Sequence, residues 1–393
     1  MATYTRNAMA EIEREKDFTI EETLTFLSKR EHFMSVSEGI KRELRRCKDC
    51  PEDERLLLSY FKDVLKKAGF TKDQRKNADK WLIDNVLPSP KYAVRLCFAF
   101  GLSGQAALDF LWKVCKVNGF NFRRAEDVVY CYCLERGIGY DDANTLIERY
   151  NAQTADQTYE VSDATKRTQT LRQVFGDLAN LDENDFMQRL CSNKKNFIGY
   201  MRTANEEFLR IHKSLKEVIQ ADIDMFNNEV HSGRVHTDAY KHIGMEGCNG
   251  VPSVYPEIIY AFDKLAKAKS SSGNTFADII SNFPRSDYLN EMLSIESAAT
   301  DKEHDKARKV FVLLFFANYV FDPPPSDYFG DFLIAINTEL DRCGYAKLYP
   351  ANPYDWLILN CVRSMEASDD LDGMEPIELF NDVLELLAEE TDI

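Results

Sequence analysis

Lysine and arginine are concentrated between residues 41 and 95, where 15 basic side chains outnumber 9 acidic ones. Seven of the cations could line one side of a helical hairpin and neutralise the phosphates of a nucleic acid. Asp63, Asp73 and Asp79 interrupt the series, so the alternative is an ordinary solvated helix face. The sequence favours that alternative and leaves nucleic-acid contact as a hypothesis. The candidate contact residues are Lys62, Lys66, Lys67, Lys72, Arg75, Lys76 and Lys80.

Cys47 and Cys50 have the C-x-x-C spacing of half a zinc site or of a redox pair. A structural zinc site needs a second pair of ligands, and the chain contains no other C-x-x-C and no H-x-x-H. A thioredoxin-like pair follows a strand, whereas residues 40–46 have the pattern of a helix. We therefore expect two ordinary thiols near a helix end, with metal binding as the alternative.

The densest group of potential metal ligands is His231, His236 and His242, which lie among acidic residues and Cys248. Imidazole and carboxylate groups bind zinc and harder transition metals. Spacings of five and six residues do not place three ligands on one helix face, and Ser232-Gly233 predicts a loop. Incidental histidines in a surface loop are the favoured interpretation, so we expect no metal and no cofactor.

Signatures of catalysis are missing from the sequence. It has no P-loop, no G-x-G-x-x-G, no G-x-S-x-G and no H-E-x-x-H. Paired carboxylates such as Asp141-Asp142 are typical of the first turn of a helix, where they interact favourably with the helix dipole. We expect a protein without enzymatic activity and without catalytic residues, and an enzyme of unrecognised type is the third alternative for its function.

The elements that position these side chains are predicted to be helices throughout. Apolar residues recur at steps of three and four positions in nearly every long segment, and no run alternates as a strand does. The expected fold is all-α and multi-helix. Its predicted core includes Phe98, Leu111, Trp112, Phe315, Phe316, Trp356 and Leu357.

Two stretches about two hundred residues apart carry the same ordered set of residues. The first has Leu96-Cys97-Phe98-Ala99, Asp109-Phe110-Leu111, Gly119-Phe120, and Asp127 with Cys133. The second has Leu314-Phe315-Phe316-Ala317, Asp331-Phe332-Leu333, Gly344-Tyr345, and Asp355 with Cys361. Insertions collect in loops while core positions persist, so the pattern is typical of a duplicated helical module. Two related modules are expected to flank a middle region with a long helix.

Polar and glycine- or serine-rich stretches suggest three parts. We expect an N-terminal helical domain at residues 1–150 with a degenerate helix-turn-helix-like module, a middle long-helix region at 151–274, and a C-terminal module at 275–393. The last part ends in a tail from Ser364 with 11 acidic residues and no basic ones. The apolar stripe of this tail could dock on its own domain, enter a partner's groove, or fold over the basic region as an autoinhibitory contact.

Charge and targeting signals set the expected location. The net charge of −16 argues against a surface that coats nucleic acid or anionic lipid over its whole extent. Residues 1–18 lack the apolar core of a secretory signal, and the apolar run at 310–321 has about half the length that a membrane crossing needs. Most of the ten cysteines lie in apolar helical patterns. We expect a cytoplasmic protein with no membrane partner and few or no disulfides.

The stretch from Tyr60 to Tyr150 resembles a bacterial group of uncharacterised helical proteins related to Xre-type (Cro/repressor-like) helix-turn-helix regulators. The residues that carry the resemblance are Leu65-Lys66-Lys67-Ala68-Gly69-Phe70, Pro88-Ser89-Pro90-Lys91 before Val94 to Phe100, Arg123 to Asp127 with Glu135-Arg136-Gly137, and Leu348-Tyr349-Pro350 with Asn352 to Trp356. The resemblance implies a helical fold. A DNA-reading unit needs two helices joined by a tight turn, whereas residues 71–87 have room for about one, so the unit is expected to be reduced.

Binding is therefore the expected function. The favoured hypothesis is a bacterial regulatory or mobile-element-associated protein that acts through a protein partner of unknown identity. The competing hypothesis is a DNA-binding transcriptional regulator that uses the basic N-terminal face.

Overall fold

The computed structural model describes residues 19–28, 32–117, 119–121, 124–153, 180–197, 206–211, 213–214, 277–280, 283–284, 304–321, 328–364 and 376–389. The regular elements in these ranges are helices, and none of these residues lies in a strand. This confirms the all-α prediction. No helix among them is both long and apolar enough to span a bilayer.

The helices are numbered in chain order. The first eight are α1 (Ile20–Ser28), α2 (Val36–Leu44), α3 (Glu54–Lys67), α4 (Asn77–Leu82), α5 (Pro90–Ala99), α6 (Gly104–Lys113), α7 (Ala125–Arg136) and α8 (Tyr140–Ala152). The others are α9 (Glu183–Ser192), α10 (Lys194–Phe197), α11 (Ala277–Ile280), α12 (His304–Phe321), α13 (Tyr328–Cys343), α14 (Pro353–Ser364) and α15 (Pro376–Glu389). One 3-10 turn, Gln74–Lys76, precedes α4.

The chain forms two compact units that do not follow its linear order. The first unit comprises residues 34–204 and 339–347, and the second comprises residues 1–33, 205–338 and 348–393. Each unit is therefore built from segments that are distant in sequence. The three-part division expected from the sequence stays a prediction, because most of residues 151–274 lie outside the described ranges.

Capping residues set the helix ends in the first unit. Ser35 and Glu38 form a reciprocal capping box at the start of α2, and the side chain of Asp53 accepts from the Arg55 N–H at the start of α3. Gly137 ends α7 in the left-handed region at φ 66°, where a residue without Cβ is unstrained. The apolar faces of these helices then meet in a core that includes the fully buried rings of Phe61 and Phe110.

Helix α14 is at the centre of the second unit. All ten residues from Pro353 to Val362 are buried, and the Trp356 ring stacks on Phe26 of α1 at 4.2 Å between centroids. Arg308 of α12 donates two hydrogen bonds to Asp355, at 3.0 and 2.8 Å, inside this core. A buried ion pair of this kind needs both partners, because either charge alone would be costly to desolvate.

The acidic helix of the tail, α15, docks within its own unit. It packs against α14, α1 and α12, and its apolar stripe is buried. The buried residues of the stripe are Leu379, Phe380, Val383, Leu384 and Leu387. Of the three alternatives for this helix, the structure therefore shows docking on its own domain.

The side chains of the predicted core are buried to different degrees. Leu111, Phe316, Trp356 and Leu357 are fully buried. Phe98, Trp112 and Phe315 are only half-buried. The Phe98 ring, for example, packs edge-on against half-buried tyrosine rings at the rim of the first unit, which leaves part of it in contact with solvent.

The two stretches with matching residue order share one local hydrogen-bonding pattern. At the start of α7, the Asn121 N–H donates to Asp127 Oδ2 at 2.9 Å. At the start of α14, the Tyr349 N–H donates to Asp355 Oδ2, also at 2.9 Å. Both carboxylates are buried. The helix order is the same, but α13 has 16 residues where α6 has 10, so the spacers differ as the sequence indicated.

Candidate functional site

A short exposed loop follows α4 in the first unit. The backbone turns back on the helix there, since the Ile83 N–H donates to the carbonyl of Asp79 at 2.8 Å and the Val86 N–H donates to that of Lys80 at 2.9 Å. Asn85 lies between them at φ 54°, in the left-handed region that asparagine tolerates better than most residues. We call Ile83–Val86 the apolar loop.

The apolar loop is tied to the start of α2 by Ser37. The backbone N–H of Ser37 donates to Asn85 Oδ1 at 3.1 Å, and Ser37 Oγ donates to the carbonyl of Leu82 at 2.6 Å. The first N–H groups of a helix have no partner within it, so Asn85 caps α2 from a distant part of the chain. The conformation of the apolar loop is therefore fixed from both sides.

The apolar loop presents branched apolar side chains to solvent. Ile83 is 61% exposed and Val86 is 48% exposed, while Trp81 and Leu82 just before them are buried. Few large apolar residues of the described part of the chain reach such exposure, and another of them, Leu56, lies in the first turn of α3 in the same unit. Single exposed apolar residues are common, whereas two of them within one held loop of four residues favour a contact surface.

The seven candidate phosphate-contact residues differ in their ion pairing and in their exposure. Lys62 pairs with Asp79 at 2.8 Å, and Lys76 pairs with Asp73 at 2.7 Å. Arg75 is half-buried and its Nε has no hydrogen-bond partner. The remaining four are exposed and form no ion pair with any residue in the ranges given above. These free cations are Lys66, Lys67, Lys72 and Lys80.

Arg95, a buried arginine of this region, was not among the site residues predicted from the sequence. Arg95 lies on the buried side of α5 and is 8% exposed. Its guanidinium lies 4.2 Å from the centroid of the Phe70 ring and 5.0 Å from that of Tyr140, and Nη1 donates to Gln74 Oε1 at 2.9 Å. The available signal was the single charged residue among the apolar side chains of residues 92–100.

The outer edge of the Arg95 guanidinium lies beside Gly69, which is exposed and has φ 77°. A Cβ built on Gly69 would lie 3.4 Å from Arg95 Nη2 and 3.2 Å from Asp141 Oδ2. Apart from Gly69 and its two chain neighbours, no other atom of the described residues comes within 4 Å of that point. Arg95 and Asp141 form no ion pair within 4.0 Å, so a cation and a carboxylate border the same opening without direct contact.

Cys47 and Cys50 lie between α2 and α3, where both are half-buried. Cys47 Sγ donates weakly to the Glu43 carbonyl at 3.6 Å. Burial raises the pKa of the Cys47 thiol, and the neighbouring Cys50 and Glu43 raise it further. No group of three His, Cys, Asp or Glu side chains suited to a metal occurs among the described residues. His231, His236 and His242 lie outside those residues.

Other cysteines are part of the helical core. Burial raises the pKa of both Cys131 and Cys133 to about 12, and it raises the pKa of Cys361 as well. Thiols that stay protonated at neutral pH are poor nucleophiles and poor metal ligands. These cysteines therefore act as small apolar side chains.

No family model, curated protein or solved structure matches the chain. The resemblance to Xre-type regulators thus stays a prediction. Residues 71–87 contain a 3-10 turn and one α-helix of six residues.

Proposed function

We propose that the protein is a non-enzymatic interaction protein and that its first unit binds a protein partner through the apolar loop. One observation carries the proposal: Ile83 and Val86 are exposed on a loop whose backbone is held by hydrogen bonds to α2 and α4. A held loop loses little conformational freedom when it binds, so more of the contact energy contributes to affinity.

The size of the apolar contact is adequate for an anchor. Full burial of a Val or Ile side chain contributes about 1.5–3 kcal/mol, so covering the exposed parts of Ile83 and Val86 should contribute on the order of 2–3 kcal/mol. This free energy raises the affinity by a factor of several tens. It is similar to the binding free energy that a central interface residue often contributes.

The charges around the apolar loop are of both signs, because Asp84 is exposed within the loop and Lys80 is exposed three residues before Ile83. Neither forms an ion pair with any of the described residues. Rim charges of this kind mainly increase the association rate and select the sign of the partner's charge. The partner is therefore expected to present an apolar side chain flanked by a carboxylate opposite Lys80 and a cation opposite Asp84.

Photo-crosslinking in cells that produce the protein natively tests the proposal. A photoreactive amino acid at Val86 should capture one defined protein, and the same group at Ser59, an exposed position on α3, serves as the matched control. Capture of another copy of the chain would identify self-association as the function of the loop. Identical products from both positions, or none from Val86, would contradict the proposal.

A second candidate function is nucleic-acid binding by the basic face, and the free cations favour it. Lys66 and Lys67 are adjacent on α3, and Lys72 follows in the next turn. The carboxylate of Asp63 on the same helix is exposed and forms no ion pair within the described part of the chain, so it works against a continuous phosphate-binding track. Anisotropy titrations of labelled duplex DNA at two salt concentrations distinguish this function from the first.

A further inference from the structure

The guanidinium of Arg95 is a buried cation whose positive charge is only partly compensated by its neighbours. More than nine-tenths of the residue is buried, and no carboxylate of the described residues lies within 4.0 Å of it. Transfer of an unpaired charge out of water is unfavourable by several kcal/mol. A structure that keeps such a charge either compensates it with neighbouring groups or binds an anion there.

The neighbouring groups supply only part of the compensation. Gln74 accepts one hydrogen bond from Arg95 while it also accepts one from the Thr71 N–H at 3.0 Å. The Phe70 and Tyr140 rings add cation–π contacts. Among the described residues, the Nε donor of Arg95 has no partner and Nη2 makes no hydrogen bond.

Further positive charge lies next to this guanidinium. Thr71 and Gln74 belong to the turn before α4. The same turn carries Lys72 and Arg75, neither of which forms an ion pair with any described residue. Tyr140, whose ring contacts Arg95, is the first residue of the 13-residue helix α8. The unsatisfied N–H groups at a helix start attract anions. The first turn of α8 also carries Asp141 and Asp142, which already interact with those N–H groups, so the positive charge of this region comes from Lys72, Arg75 and Arg95.

We propose that Arg95 anchors a binding site for a phosphate group, which enters over Gly69. Arg95 Nη2 donates to a phosphate oxygen there, and Lys72 and Arg75 add long-range attraction. Gly69 leaves room because it has no side chain, and the planar guanidinium suits phosphate oxygens. Asp141 opposes the ligand, because its carboxylate borders the same opening. The site lies on residues other than the apolar loop and goes beyond the protein-partner function.

The test is a titration of the full chain with inorganic phosphate and with pyrophosphate at constant ionic strength, followed by isothermal calorimetry or by the thermal unfolding midpoint. Arg95→Gln should weaken binding on the order of tenfold or more, because a charge-assisted hydrogen bond is lost. Arg75→Gln, at a half-buried position, should weaken it several-fold without risk to the core. Lys48→Gln, at an exposed cation in another loop of the same unit, should leave binding unchanged.

Asp141→Asn gives the sharpest outcome, because the two explanations predict different results. If phosphate binds over Gly69, removal of the carboxylate tightens binding. If Asp141 is only a solvent-separated counter-ion of Arg95, phosphate has no saturable effect on any variant, including Asp141→Asn.

A short single-stranded oligothymidylate forms the last arm of the titration. Binding of the oligothymidylate alone, with the same response to Arg95→Gln, would show that the phosphate belongs to a nucleic-acid backbone. Absence of saturable binding to all of the ligands would overturn the proposal, as would an equal response of the Arg75→Gln and Lys48→Gln variants.

Discussion

Ser37 and Asn85 join the start of α2 to the end of α4 through a hydrogen bond of 3.1 Å between the Ser37 N–H and Asn85 Oδ1. Ser37 returns a second bond from its hydroxyl to the carbonyl of Leu82. The conformation of the apolar loop therefore depends on polar contacts made by its own backbone and by Asn85. The branched side chains of Ile83 and Val86 remain available for a partner.

Replacement of Asn85 should destabilise the first unit. Asn85→Ala removes the acceptor of a part-buried N–H and puts alanine in the left-handed region, which asparagine tolerates better, so the free energy of unfolding should fall by about 2 kcal/mol. Asn85→Gly removes the acceptor but relieves the backbone strain, so it should lose only about half as much. Denaturant unfolding measures both, and equal stability of the two variants and the wild type would show that Asn85 does not hold the loop.

The helical fold was predictable, because apolar residues repeat with the helix period in most segments. The recurring carboxylate was predictable from the repeated order of residues, because the position of Asp127 before Cys133 matches that of Asp355 before Cys361. The exposure of Ile83 was not, because periodicity does not reveal which apolar side chain a turn of the backbone leaves uncovered. The surroundings of the Arg95 charge were not predictable either, because the contacts that partly compensate it come from Gln74 and Tyr140, which are distant in sequence.

The two equivalent carboxylates should differ in their contribution to stability. Asp355 is 1% exposed and pairs with the buried Arg308, whereas Asp127 lies 3.7 Å from the partly exposed Arg124. Asp355→Asn leaves a buried cation without its counter-ion and should cost about 3–5 kcal/mol. Asp127→Asn should cost about 1 kcal/mol, as for a more exposed pair. Denaturant unfolding of both variants checks this, and similar losses would contradict the assignment.

Thiol alkylation should separate the core cysteines from the others. At pH 8 the thiols of Cys131 and Cys133 remain protonated, because burial raises the pKa of each to about 12. A rise in pH toward that pKa increases the reactive thiolate, so their labelling should appear only in strongly alkaline or denaturing solution. Half-buried Cys50 should react before these two in the native protein. Mass spectrometry of peptides after iodoacetamide treatment gives the order, and early labelling of Cys133 would contradict it.

Duplex DNA should bind weakly or not at all near physiological salt. The net charge of −16 repels phosphates at long range, and screening limits that repulsion to about 8 Å, so the free cations act only at contact. Asp63 interrupts those cations on α3. Anisotropy titrations should show no sub-micromolar binding. Sub-micromolar binding that disappears when Lys66, Lys67 and Lys72 are changed to Glu would replace the protein-partner function with DNA binding.

The most direct measurement of the central claim is the affinity of the purified chain for the protein captured at Val86. Ile83→Asp should weaken that affinity at least tenfold, because it removes apolar contact area and brings a charge into the interface. Ser59→Asp, which adds the same charge on the exposed face of α3, should change it less than about twofold. Equal affinities of the wild type and Ile83→Asp would contradict the assignment of the apolar loop as the binding surface.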